Sequence, residues 1–173
     1  MRLADGDLTT ATPARRIAIA ELTGALGARV DELRRRWDPR QAASVESHVT
    51  VIDEIADLGR LGAVAGEMPP LRLRVSRSAR WIAPDPGIFL VVDDPQGDLR
   101  RFREAVLGAE RATYRPHITL LHRDSVWSEA QVDVAWAALG DLTFDADLVV
   151  SELIVYDQDE GEWREVARPR FRP

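Results

Sequence analysis

The chain has 173 residues, enough for one domain with a substantial core and too few for two ordinary ones. Hydrophobic residues at 45% and charged residues at 30% exclude a disordered chain, and the lack of cysteine excludes a disulfide framework, a thiolate nucleophile and a cysteine zinc site. The net charge of -6 argues against extensive sequence-independent nucleic-acid binding, and since all 23 basic residues are arginine, lysine chemistry is excluded as well.

Residues 1–14, with Thr9, Thr10, Thr12 and Pro13, read as a flexible tail without an apolar stretch of signal-peptide length. Arg15 to Leu22 reads as a strand. Thr23 then caps a helix whose apolar stripe is Leu26, Val30, Leu33 and Trp37, and Asp38-Pro39 stops it. The Arg34-Arg35-Arg36 run is expected on the wet face of that helix. Ser47 to Ile52 is a short β-branched strand. Asp53 to Glu67 is a glycine-weakened helix with Ile55, Leu58, Leu61 and Val64 recurring at threes, ended by Met68-Pro69-Pro70.

Leu71 to Val75 alternates as a strand with one wet face, and Ile88 to Val92 reads as a buried strand. Asp98 caps a helix carrying Leu99, Phe102 and Val106. Pro116 to Leu121 is a strand. Ser128 and Gln131 form a capping box for a helix with Val132, Trp136 and Leu139. Phe144 to Val150, Leu153 to Tyr156 and Trp163 to Val166 read as strands, the last two joined as a hairpin by Asp159-Glu160-Gly161. Seven or eight strands mixed irregularly with three or four helices predict an α+β fold with mainly antiparallel sheet. No apolar run is long enough for a bilayer, so a cytoplasmic protein without membrane attachment is expected.

The chemistry centres on a repeat. His48-Val49-Thr50-Val51 and His117-Ile118-Thr119-Leu120 both read His, apolar, Thr, apolar. Side chains two apart on a strand share a face, so each motif sets an imidazole beside a hydroxyl and turns its apolar pair into the core. A single copy would carry little, but two copies among three histidines carry a signal. Two imidazoles across a cleft provide a general base and a general acid near neutral pH, and two hydroxyls can hold the non-bridging oxygens of a phosphate. That set suits in-line attack at a phosphodiester without a metal. Zinc catalysis is weakly supported, as no helical i, i+4 histidine pair exists, and there is no Gly-x-Ser-x-Gly elbow or glycine-rich phosphate loop.

These motifs, the second introduced as Tyr114-Arg115-Pro116-His117-Ile118-Thr119-Leu120, resemble those of the two-histidine (2H) phosphoesterase superfamily, which includes the bacterial 2'-5' RNA ligase / RNA 2',3'-cyclic phosphodiesterase enzymes. The likeness runs from about Arg15 to Phe171, and its specificity lies in the duplication, the 69-residue separation and the flanking elements. It implies two pseudo-symmetric lobes of mainly antiparallel sheet with outer helices, the two His-x-Thr strands facing a central cleft, in one bilobed domain over residues 15–173. It implies hydrolysis of a cyclic phosphate, with His48 and His117 as the acid–base pair and Thr50 and Thr119 as phosphate binders. By analogy His117 is the base and His48 the acid.

Two further side chains are candidates for substrate contact. Arg115 shares the parity of His117 and can reach an anion, and Tyr156 can stack on a base. The family often carries a basic residue after the second motif, where this chain reads Leu121-His122-Arg123. In a regular strand His122 falls on the opposite parity and leaves the cleft. The tryptophans are expected in the core or on sheet surfaces. The expected partner is a nucleotide or RNA terminus bearing a cyclic phosphate, handled by a monomer with no metal and no cofactor. A non-catalytic nucleotide or RNA-end binding module on the same fold, and 2'-5' RNA ligase activity, are the alternatives.

Overall fold

A computed structural model describes residues 15–82, 84–112, 114–159 and 162–173. The expected tail, and Glu160-Gly161 of the expected hairpin turn, lie outside the described residues.

Among the described residues the apolar alternation resolves into eight strands. These are β1 (Arg15–Glu21), β2 (His48–Ile52), β3 (Leu71–Trp81), β4 (Gly87–Asp93), β5 (His117–Leu121), β6 (Thr143–Val150), β7 (Ile154–Asp159) and β8 (Glu162–Ala167). The helices are α1 (Gly24–Trp37), the short α2 (Pro39–Ala42), α3 (Leu58–Glu67), α4 (Asp98–Leu107) and α5 (Glu129–Leu139). The α+β expectation holds. The strands form two four-stranded antiparallel sheets, ordered β2-β1-β7-β8 and β5-β4-β3-β6.

Each sheet is built on the same unit: a strand, a connection through a long helix, and an antiparallel edge strand that begins with a motif histidine. The helices cross over. α1 packs on β5 of the other sheet, and α4 reaches β2. One face of each sheet joins these helices in a shared core, including the fully buried Phe102, Leu61, Leu90 and Leu153. Each such side chain contributes about 1.5–3 kcal/mol relative to exposure. Among the described residues no helix is long and apolar enough to cross a membrane.

The helix ends follow local chemistry, with two departures. Asp57 caps α3 by accepting from the Arg60 N–H at 2.9 Å, and Ser128 caps α5 by accepting from the Gln131 N–H. Gln131 reaches back to the Trp127 N–H, completing the expected box one residue early. Thr23 holds the N-cap position of α1 but makes no side-chain cap bond. Asp98 is not the cap of α4 but its first residue. Gly97 takes the cap with φ 71°, a left-handed conformation suited to glycine, and frees the Asp98 carboxylate to accept from the Arg72 N–H. The strand expected to stop at Val75 runs on to Trp81, because an irregularity near Ser76-Arg77 absorbs the break in alternation.

Candidate active site

β2 and β5 lie at the edges where the two sheets meet. Val49, Val51, Ile118 and Leu120 are completely buried, as the alternation requires, so His48, Thr50, His117 and Thr119 stand half-buried on the open faces. The structure thus brings both halves of the repeat together.

The two imidazoles are held alike. Nδ1 of His48 lies 2.7 Å from the Glu46 carbonyl oxygen, and Nδ1 of His117 lies 3.0 Å from that of Arg115. A carbonyl only accepts, so Nδ1 carries the proton in each ring and Nε2 keeps its lone pair in the neutral form. Burial lowers the His48 pKa to about 4. The Glu46 carbonyl opposes that shift, while Arg34, His117 and His122 add to it through their positive charge. His117 is lowered by burial too, against the Arg115 carbonyl and with help from His122. Both rings are therefore neutral at pH 7 in the free protein.

His122 does not leave the cleft. Both motif strands carry a bulge, where the register slips between Ile88 and Phe89 opposite β5 and between Ala18 and Ile19 opposite β2. Two consecutive residues are then buried, Leu120-Leu121 in β5 and Val51-Ile52 in β2. The doublet resets the parity, so His122 returns to the side of His117 and Thr119, and Asp53 takes the matching place after β2. Nδ1 of His122 accepts from the Asp124 N–H at 3.1 Å, so its neutral ring carries the proton on Nε2, opposite to the other two. Its backbone N–H is tied to the buried Asp38, which also accepts from Ser125 Oγ and the Gln41 N–H.

A second network supports Thr50. The buried Arg103 on α4 donates to the Val51 carbonyl at 2.7 Å and to Asp53 at 3.1 Å. Its guanidinium also covers the Tyr114 ring at 4.4 Å. The Tyr114 hydroxyl lies beside Thr50, and burial raises its pKa to about 12, so it stays a neutral phenol. Of the other expected contacts, Arg115 is exposed just ahead of β5. Tyr156 is half-buried on the same face as His48, edge-on to Trp163 at 5.8 Å and packed over Ile17, Ile19 and Ile154. Arg34 is not on a wet face: it is 5% exposed, whereas Arg35 and Arg36 are exposed. Sequence reasoning missed the aromatic pair Trp81 and Phe89. They stack at 4.0 Å, and both lie edge-on to His117, at 4.8 and 5.5 Å.

A hollow of about 630 Å³ lies beside this face, between Pro84–Pro86 and Arg123–Glu129, and holds neither motif histidine. The site itself is an open junction of two sheets. Among the described residues no three His, Asp or Glu side chains converge to hold a metal ion.

A family model for the 2'-5' RNA ligase superfamily matches residues 23–162 of the chain. TT0787 of Thermus thermophilus is similar in structure at a TM-score of 0.60 and 16% identity, over 91% of this chain and 98% of that one. LigT of Escherichia coli complexed with phosphate gives a TM-score of 0.60 at 18% identity, over 92% and 98% of the two chains. The same protein complexed with 3'-AMP gives 0.57 at 17%, over 94% and 100%. At these identities the likeness establishes the fold. No curated protein matches the chain by sequence.

Proposed function

Because the chain belongs to the 2'-5' RNA ligase superfamily, we propose that it is a bacterial, cytoplasmic phosphodiesterase that opens a 2',3'-cyclic phosphate on an RNA terminus or small nucleotide without a metal. Residues 15–173 act as one bilobed unit. The observation that carries the reading is the pair of imidazoles from opposite sheets, each pinned through Nδ1 and each presenting Nε2. The binding of phosphate and 3'-AMP by the similar Escherichia coli protein fits it.

Thr50 and Thr119 hydrogen-bond the two non-bridging oxygens. The bound anion stabilises a proton on one of the two imidazoles. The neutral imidazole takes a proton from water as its oxygen bonds to phosphorus. The ring P–O bond breaks in line, and the Nε2–H of the protonated imidazole protonates the leaving ribose oxygen. The product is a phosphomonoester, with one water consumed. The two rings are held alike, so either can take either part; the resemblance makes His117 the base and His48 the acid. Arg115 and the Nε2–H of His122 add donors for the charge that builds on phosphate.

Hydrolysis of a 2',3'-cyclic nucleotide and of a short RNA ending in a cyclic phosphate, with EDTA present, tests the reading. Turnover that survives EDTA and collapses in both His48→Ala and His117→Ala supports it. Turnover retained in either variant, or abolished by EDTA, sinks it.

A further inference from the structure

Trp81 and Tyr156 occupy matching places in the two sheets. Thr119 pairs with Phe89 and Phe89 with Ala79, while two residues along Gly87 pairs with Trp81. In the other sheet Thr50 pairs with Ile19 and Ile19 with Ile154, while two residues along Ile17 pairs with Tyr156. Each aromatic ring therefore stands on an open face, two strands in from a motif threonine.

Their surroundings differ. Tyr156 is half-buried against Trp163, with Glu165 as its cross-strand partner, and Glu21 is paired with His48 on the same face. An anionic nucleotide meets carboxylates there. Trp81 is 39% exposed, has Phe89 under one face and stands within 4.8 Å of the His117 ring. Gly87 opposite it leaves room for the indole: a β-carbon there would lie 3.3 Å from Trp81 Cε3.

We propose that the Trp81 indole, seated on Phe89 beside His117, is the nucleobase platform of this site. The site then prefers nucleoside cyclic phosphates to cyclic phosphates that lack a base. The inference rests on the cyclic-phosphate reading and adds to it the residue that recognises the base. Stacking needs a π face and little hydrogen bonding, so the platform accepts all bases and favours the larger purines.

The test compares kcat/KM for adenosine 2',3'-cyclic phosphate and for glycerol 1,2-cyclic phosphate, which lacks a base. The wild type is expected to prefer the nucleotide by roughly ten- to a hundredfold, the range aromatic stacking gives per base. Trp81→Ala brings that ratio close to one, and Trp81→Phe restores most of it. An unchanged ratio in Trp81→Ala overturns the proposal and leaves Trp81 as packing for His117. If the wild type turns over neither substrate, the cyclic-phosphate reading has failed, and calorimetric titration with adenosine 2'-monophosphate and glycerol 2-phosphate decides the platform separately. Tighter nucleotide binding that Trp81→Ala abolishes supports it, and equal affinities in the wild type overturn it.

Discussion

Arg34 and Arg103 hold the same place in the two halves of the molecule. Each lies fourteen residues before its motif histidine, Arg34 on α1 and Arg103 on α4, and each is at most 5% exposed. The partners break the symmetry. Arg103 donates to the carbonyls of Val51, Ala112 and Arg111 and to the Asp53 carboxylate. Arg34 donates to the Gln41 carbonyl, and its Nη1 sits 3.6 Å from Asp31 without a hydrogen bond among the described residues. One buried cation is absorbed into the frame around Thr50, and the other is left to act on His48.

Unequal costs of removal follow. Arg103→Met strands three carbonyls, at least one of them at the bulge after Thr50, and is expected to lower the unfolding free energy by about 2–4 kcal/mol. Arg34→Met removes a group whose bonds are already incomplete and is expected to cost about 1 kcal/mol or less. Urea unfolding of both variants at pH 7 checks this, and equal losses would contradict the asymmetry.

The same asymmetry governs pH dependence. The unfolded chain takes up a proton on His48 near 6.5, the folded one only at about 4. Between those values the unfolded state holds more protons, so the contribution of His48 to stability is complete above about 6.5 and is lost as the pH falls toward 4. Chemical-shift titration of the His48 Cε1 proton should place its midpoint well below that of a free imidazole. Arg34→Met should move the midpoint upward, and the same variant should shallow the loss of stability between pH 6.5 and 4. A His48 midpoint unmoved by that substitution would remove Arg34 from the account.

His122 gives a third expectation. With its Nδ1 occupied by the Asp124 N–H, the ring is expected to act on phosphate as an Nε2–H donor and to take no part in proton transfer. His122→Ala should raise KM about tenfold while leaving kcat within a few-fold, and His122→Arg should recover most of the loss as a fixed donor. A large fall in kcat in both variants would instead make it a third acid–base group.

The strands, the α+β class and the four residues of the repeat were legible because period-2 alternation and a duplicated pattern need no tertiary information. What escaped lies where alternation slips. The parity rule sends His122 away from the cleft, and only the bulge marked by the apolar doublets Val51-Ile52 and Leu120-Leu121 brings it back. Those doublets, at the same place in both copies, were the available signal. Arg34 was hidden in a run of three arginines that a surface helix would display, yet Val30 and Arg34 lie one turn apart on the buried side. Trp81 was out of reach because its place beside His117 depends on the register of three strands, set by an irregularity near Ser76-Arg77.

Gly87 is where these features meet, and its substitution gives the last prediction. A β-carbon there would lie 2.9 Å from the Leu121 carbonyl oxygen, a backbone atom of the bulge that aims His122, and 3.3 Å from the Trp81 ring. The ring can swing away, but the carbonyl moves only with β5. Gly87→Ala should therefore cost about 1–3 kcal/mol in stability, as overpacking of a fitted contact does. It should also weaken binding of adenosine 2'-monophosphate more than binding of inorganic phosphate, since the base platform is displaced along with the anion donors. Urea unfolding and calorimetric titration with the two ligands measure this. Stability and both affinities at wild-type values would mean that β4 and β5 adjust around the added methyl, and that the close approach at Gly87 sets neither the bulge nor the indole.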